Sequence, residues 1–478
     1  VKEEFMPGDS EKLHPSSLPK ETTAAALTGL SGVTFLTEPG KVFGANDRVR
    51  VAICGLRGQG FYHVEEYAQI PNVEIAAFCD PDENILSGRL ADIARMGLPQ
   101  PQTYTDVRKL LEDKSIDCVS IATPNHWHSL IGIWACQAGK DVYVEKPCSH
   151  NWWDSHQLVR AARKYNRLVQ HGVNMRSSDC IGEAVQKLRE GVIGDVYMAR
   201  GLCYNWRDTI GRTPVEPVPA GVNYDLWTGP APLKPFMRNR FHYNWHWLWD
   251  FGNGDIGNQG IHELDVARWG LGVAFPHRVS AMGGHFLFDD DQETPNTLNC
   301  AWEFDLPDGK RKLLEFEVRH WITNHEADLR TPGFGLEIPG FLGRPRPGRP
   351  ERLFTGGTVG DIFYGSKGYM GTTDAGPLQT YRTRLGEEQE FGPTATHGSG
   401  NCWANFIDCV RSRKREKLQS PIEEGHITAT LVHLANASYR LGRTLKFDPA
   451  TEQVVDDAEA TRLLRGTYRE PFVVPEEV

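Results

Sequence analysis

VRVAICGLRGQG, residues 49–60, is the stretch that decides the fold. Residues 49–54 are an apolar run of strand length. Gly55, Gly58 and Gly60 follow at GxxGxG spacing, and a helical stretch continues through Ile70. A second strand, Val73 to Cys79, ends at Asp80, 20 residues after Gly60. Strand, glycine turn, helix, strand and terminal acid make a dinucleotide-binding arrangement. Glycines let the backbone approach a pyrophosphate, and the helix N-terminus stabilises its charge. Arg57 and Gln59 belong to the same loop. Asp80 would accept hydrogen bonds from ribose hydroxyls and repel a 2′-phosphate, so the expected cofactor is NAD rather than NADP.

Outward from this unit the alternation continues. Residues 106–113 read as a helix and 117–122 (DCVSIA) as a strand. Thr123-Pro124-Asn125 then opens a helix that carries His128 and runs through Gly139. Residues 141–145 (DVYVE) read as a strand ending in Glu145-Lys146-Pro147. A helix over 154–166 and a strand over 168–171 complete the pattern. Strands alternating with helices predict a parallel, doubly wound sheet, which binds ligands at the carboxyl ends of its strands. Gly55, Asp80, Thr123, Asn125 and Lys146 all fall there.

From Val196 the pattern changes to longer β-like stretches: 196–204, 278–286, 297–305 and 311–319. Residues 332–350, rich in Gly, Pro and Arg, read as a loop. Residues 401–413 and 424–441 read as closing helices. The expected organisation is a leader or arm (1–45), a dinucleotide-binding domain (46–170), a substrate and oligomerisation domain (171–445) and a tail (446–478). The tail's Val454, Leu463, Leu464, Phe472 and Val473 are expected to pack on the body.

Composition narrows the function. The 478 residues carry a net charge of −10, which argues against a nucleic-acid partner. No apolar run reaches the roughly 20 residues of a membrane span. The 10 cysteines form no CxxC pair, which leaves buried thiols as the better reading. Residues 23–36, TAAALTGLSGVTFL, resemble the apolar core of an export signal and favour an exported or periplasmic protein. Glu21 and the lack of a twin-arginine pair keep a cytoplasmic protein with an amphipathic arm as the alternative.

Four segments carry a family resemblance: the glycine loop, IATPNHWHS (121–129), AGKDVYVEKP (138–147) and GNGDIGNQGIHELDVARWGLG (252–272). With them the chain resembles the Gfo/Idh/MocA oxidoreductases over roughly residues 46–445. The resemblance implies an α/β fold: an N-terminal Rossmann doubly wound parallel sheet, then a C-terminal α/β domain with an open, mostly antiparallel sheet. It also implies a homo-oligomer, dimer or tetramer. The lysine of its EKP motif, here Lys146, contacts the substrate hydroxyl and the nicotinamide ribose. Its catalytic histidine matches His262. An aspartate four positions earlier is replaced here by Asn258. The loop holding Asn174, Met175 and Arg176 faces the substrate in the family; Arg176 could bind substrate or pair with an acidic neighbour.

The chemistry of alcohol oxidation agrees. A base must take the hydroxyl proton while hydride goes to the nicotinamide. His262 is the expected acid/base, Lys146 the group that polarises the reacting oxygen, and Asn258 a substrate-orienting side chain. Gly55, Arg57, Gly58, Gln59, Gly60, Asp80, Thr123, Asn125, His128, Glu145 and Lys146 are the expected cofactor contacts. RFHYNWHWLWD (240–250) offers aromatic faces for sugar C–H surfaces, with packing as the equal alternative. Asn174, Arg176, Trp206, Arg207, His242, Trp245 and His246 are the expected substrate contacts, with Arg212 as a further possible contributor. His242 with His246, and His126 with His128, lack a third ligand, so no metal is expected.

Three functions compete. One is an NAD-dependent oxidoreductase acting on a sugar, polyol or glycoside hydroxyl. The second is an NAD-retaining glycosidase or lyase working through a transient 3-keto sugar. The third is a catalytically weak NAD(H)-binding sensor or assembly protein.

Overall fold

The structure is a computed structural model that describes residues 48–205, 207–320, 358–373, 378–382, 387–391 and 401–478. Residues 1–45, Trp206 and the 332–350 loop, each singled out above, lie outside the described residues.

The first domain is a six-stranded sheet in the order β3-β2-β1-β4-β5-β6, parallel throughout. Its elements are β1 (Val49–Cys54), α1 (Gly58–Ala68), β2 (Val73–Cys79), α2 (Glu83–Arg95), β3 (Gln102–Tyr104), α3 (Val107–Glu112), β4 (Cys118–Ile121), α4 (Asn125–Gln137), β5 (Asp141–Val144), α5 (Trp152–Lys164) and β6 (Val169–His171). Strand order reverses between β1 and β4, and a crevice opens there at the strands' carboxyl ends. β4 and β5 are buried along their whole lengths, which explains their unbroken apolar character.

The second domain follows as α6 (Asp179–Arg189), β7 (Val196–Tyr204), α7 (Tyr224–Thr228), α8 (Gly254–Asn258), α9 (Gly260–Leu271), β8 (Arg278–Gly284), β9 (Thr297–Asp305), β10 (Arg311–Arg319), β11 (Thr358–Gly365), β12 (Gly368–Thr373), β13 (Leu378–Arg382) and β14 (Glu387–Phe391). The chain closes with α10 (Cys402–Ser412), α11 (Ile422–Leu441), β15 (Leu445–Asp448), β16 (Gln453–Val454) and α12 (Ala458–Arg465). The second sheet runs β14-β13-β12-β11-β7-β10-β9-β8-β15-β16. Its neighbours are antiparallel except β7 and β10, which pair parallel.

One feature escaped the sequence reading. Helix α10 packs on the first sheet, not the second: Trp403 stacks on Tyr143 of β5 at 5.7 Å, and Phe406 joins the same core. The tail contributes Leu464, Phe472, Val474 and Val478 to the main core. No helix among the described residues is long and apolar enough to cross a membrane.

Helix α9 lies close against the second sheet because small residues face it. A Cβ on Gly260 would sit 2.2 Å from Phe316 of β10, and one on Gly270 would sit 2.3 Å from Phe363 of β11. This close approach fixes where α8 and α9 present their side chains. Gly260→Ala should therefore destabilise the protein by about 1–3 kcal/mol through overpacking. Thermal melts would read the loss, and adding Phe316→Leu should restore part of it. An unchanged melting midpoint would remove the constraint.

Candidate active site

The glycine loop is built for close contact. Gly55 has φ +81°, where side chains are strained, and a Cβ there would lie 2.6 Å from Ala122 O. A Cβ on Gly60 would lie 1.7 Å from Gly55 O, whereas one on Gly58 would meet nothing within 4 Å. The loop thus folds tightly on itself and leaves an open face at the N-terminus of α1. That terminus has no side-chain cap and no acidic residue in its first turn. Gly55, Arg57, Asp80 and Thr123 line one cleft together with Asp82, Pro124 and Trp127. Asp80 Oδ2 accepts from Leu56 N (2.9 Å) and Oδ1 from Asp82 N (3.0 Å). Burial raises its pKa to about 6 despite these bonds. Thr123 Oγ1 is buried and lacks a hydrogen-bond partner among the described residues. An amide-lined concavity, a terminal acid and an orphaned hydroxyl in one cleft fit a dinucleotide.

Glu145 is the buried anchor beside this cleft. Its Oε1 accepts from Gln59 Nε2 (2.8 Å) and lies 3.0 Å from His63 Nε2, while Oε2 accepts from Lys146 N (3.1 Å). His63 Nδ1 in turn meets Ser120 Oγ at 2.8 Å. Burial opposes ionisation of Glu145, yet His63, Lys146 and Gln59 bring its pKa to about 2. Gln59 and Glu145 thus brace the site through each other. His63, a buried histidine inside α1, is a supporting residue that sequence reasoning missed.

Lys146 reaches across to the second domain. Its Nζ donates to Asn258 O at 2.5 Å. Burial lowers its pKa, against the raising effect of Glu145 and Asp255. His262 sits one turn beyond Asn258 on α9, half-buried, with Nδ1 unpartnered among the described residues. Burial first, then the charge of Lys146, lowers its pKa to about 3. The imidazole is therefore neutral near pH 7.

Asp255 is the acid that the sequence reading overlooked. It is fully buried, three residues before Asn258, whose Nδ2 donates to Asp255 Oδ1 at 3.0 Å. Arg207 Nη2 donates to Asp255 Oδ1 (3.1 Å), and His320 Nε2 lies 3.1 Å from Oδ2. Burial works against its ionisation, but Arg207 and His320 outweigh it and hold the carboxyl far below the usual range. The run Asp255, Asn258, Gln259, His262 has helical spacing, which was the available signal.

The aromatic segment divides. His242 and Trp245 line the dinucleotide cleft with Phe241. His246 stacks on Trp245 at 3.6 Å and feels the charges of Lys146, Arg207 and Asp255, which places it toward Lys146. Trp247 is buried, 5.1 Å from the His320 ring, and Trp249 lies under Arg440. Arg207 also donates to Tyr243 Oη (3.1 Å).

Other expected residues sit elsewhere. Arg176 is spent on Asp265 (2.6 and 3.0 Å) and Glu424 (3.1 Å), so it takes the second of its two readings. Arg212 pairs with Asp289 at the surface. Asn174 is exposed in the turn after β6. Asn125 is buried and donates to Asn253 Oδ1 at 2.9 Å. His128 is wedged between Pro147 O and Thr123 O, both at 2.7 Å, and braces the loop that carries Lys146. His171, at the end of β6, is buried with both ring nitrogens unpartnered among the described residues. Among the described residues, none of the four histidines weighed above as metal ligands joins a three-ligand group; His156, His426 and Glu452 do.

Comparison with known proteins matches this architecture. The profile "Oxidoreductase family, NAD-binding Rossmann fold" covers residues 49–173. The profile "Oxidoreductase family, C-terminal alpha/beta domain" covers 184–281 and 395–474. The chain belongs to the Gfo/Idh/MocA oxidoreductase family, and its first domain is the NAD-binding one. A glycosyl hydrolase family 109 protein from Shewanella sp. (strain W3-18-1) is 32% identical over 156 residues, 31% of this chain and 34% of the relative. One from Shewanella putrefaciens (strain CN-32 / ATCC BAA-453) is 31% identical over the same length. The chain spans about a third of the length of these curated relatives. Two solved structures share the fold. Aldose-aldose oxidoreductase from Caulobacter crescentus, complexed with glycerol, has a TM-score of 0.58 at 17% identity, over 84% of this chain and 100% of that one. WlbA dehydrogenase from Bordetella pertussis, in complex with NADH and UDP-GlcNAcA, has 0.58 at 18%, over 84% and 99%.

The buried titratable groups predict an acid-sensitive fold. Burial is the main cause that lowers His126, His246 and His262 to about 3, and His150 and His171 to about 4. The unfolded chain protonates these near 6.5, so it binds more protons between pH 7 and 5 and stability falls with pH. Asp80 and Asp154, raised to about 6 and about 7 chiefly by burial, act in the opposite sense but are fewer. The melting midpoint should be lower at pH 5 than at pH 7; an equal or higher midpoint would refute this balance.

Proposed function

We propose that the protein is an NAD-dependent oxidoreductase that acts on a hydroxyl of a sugar, polyol or glycoside. The observation that carries this is the meeting of Lys146, Asn258 and His262, drawn from two domains, beside the dinucleotide cleft. Gly55, Gly58 and Gly60 would hold the pyrophosphate at the open N-terminus of α1, and Asp80 the ribose. When bound, NAD supplies the acceptor for the hydride that leaves the carbinol carbon.

The chain's own groups handle the proton and the charge. A neutral His262 is free to take the hydroxyl proton and to return it in the reverse direction. The Lys146 ammonium stabilises negative charge developing on the substrate oxygen. Asn258 transfers no proton; it orients a hydroxyl, held in place by its bond to Asp255. Arg207 is committed to Asp255 and acts mainly as a positioning residue. His246 and Trp245 supply an aromatic wall for a sugar ring, and the solved relatives crystallised with glycerol and with a nucleotide sugar support that substrate class. Exposed Tyr197 of β7 and Met282 of β8 support pairing of the second sheet with another copy of the chain.

Lys146→Ala should lower turnover roughly 10²–10⁴-fold, the range for a positioned polar catalyst, while NAD still binds. Fluorescence titration with NADH separates the two effects. Near-normal turnover would remove Lys146 from the chemistry.

The likeness of a 156-residue stretch of the chain to glycosyl hydrolase family 109 proteins favours a second reading, in which NAD is retained and a glycosidic bond is cleaved through a transient keto sugar. One assay decides between them. The protein, without added cofactor, is given a panel of sugars and aryl glycosides while NADH absorbance and aglycone release are followed together. Steady NADH formation that requires added NAD, without aglycone, is the outcome expected of the dehydrogenase. Continuing aglycone release with at most one equivalent of NADH would replace it with the glycosidase cycle.

A further inference from the structure

Three side chains far apart in sequence converge where α5, α11 and the β15–β16 turn meet. His156, His426 and Glu452 place one ligand atom each within 4.8 Å of the others. His426 Nε2 lies 2.9 Å from Glu452 Oε2, and His156 Nδ1 lies 3.7 Å from the same oxygen. His426 is buried, whereas His156 and Glu452 are half-buried, so the cluster opens to solvent on one side.

The hydrogen-bond network decides what belongs between them. Ser155 Oγ lies 3.1 Å from Trp152 O and 2.8 Å from His426 Nδ1. A hydroxyl has one proton, and a carbonyl can only accept. Ser155 therefore donates to Trp152, and His426 Nδ1–H donates to Ser155. A neutral imidazole then carries its lone pair on Nε2, facing a carboxylate oxygen at hydrogen-bond distance. Two lone pairs in that position repel unless a cation lies between them.

The rest of the cluster suits a cation. His156 is held by stacking on Trp152, with ring centroids 4.7 Å apart. Glu452 occupies a left-handed backbone position, φ +53°, which is uncommon outside glycine and asparagine. Tetrahedral ligands at about 2.0–2.1 Å from zinc stand roughly 3.3–3.4 Å apart. The separations of 2.9 and 3.7 Å fall on either side of that value.

We propose that His156, His426 and Glu452 bind a first-row divalent cation of the zinc type, with water completing the coordination. Two imidazoles and one carboxylate form a known three-ligand zinc set, and nitrogen ligands disfavour magnesium and calcium. Ser155 is the outer partner that fixes the His426 tautomer. The ion ties α5 of the dinucleotide domain to α11 and to the C-terminal segment. It does not depend on which reaction the enzyme performs.

The test uses the full chain, stripped with EDTA and titrated with Co²⁺, whose visible absorption reports its ligands. One equivalent should bind with the intense bands of low coordination number. Zn²⁺ should displace it and raise the melting midpoint increasingly with free metal. His156→Ala and Glu452→Gln should each weaken Co²⁺ binding at least about tenfold. Absence of these bands in the wild type, which needs no variant, would leave only an imidazolium–carboxylate pair and overturn the proposal. Unchanged Co²⁺ affinity in both folded variants would overturn it as well.

Discussion

The carboxylate of Glu145 is the fixed point of this molecule. A charge buried at the end of a central strand is tolerated only when every lone pair is met. Gln59 and His63 meet it from α1, and the Lys146 amide meets it from the following residue. One group therefore couples the glycine loop to the turn that carries Lys146. The cofactor cleft and the Lys146 turn are thus braced by one carboxylate.

A second buried acid organises the second domain's side of the site. Asp255 gathers Arg207, His320 and Asn258, and it stands just before the helix that carries His262. Its negative charge is neutralised locally by Arg207. That leaves Asn258 free to be uncharged, and burial beside Lys146 then keeps His262 neutral. Asn258 is uncharged where the family resemblance implies an aspartate, and it is bonded to the buried acid Asp255 three residues earlier.

Aromatic residues serve two ends of one cleft. The short turn of residues 242–247 bends so that His242 and Trp245 close over the dinucleotide cleft while His246 turns toward Lys146. Trp247 and Trp249 are spent on packing. Residue type announced an aromatic surface, but only the turn distributed it.

The dinucleotide fold was legible in the sequence because it depends on local constraints. Glycines at 55 and 60 answer to contacts of 2.6 Å or less, and the terminal acid and strand periodicity are set within one βαβ unit. Lys146, His262 and the change at Asn258 were singled out by family resemblance, and the fold brings Lys146 against Asn258. Asp255, His63, the identity of the acids that capture Arg176, and the packing of α10 on the first sheet were not legible. Each depends on a partner tens to hundreds of residues away. A buried charge looks the same in sequence whether it faces substrate or a salt bridge. The sequence by itself determined the element order and the cofactor class. The tertiary structure alone decided which polar side chains remain free to act, because pairing of buried charges is settled only when distant segments meet.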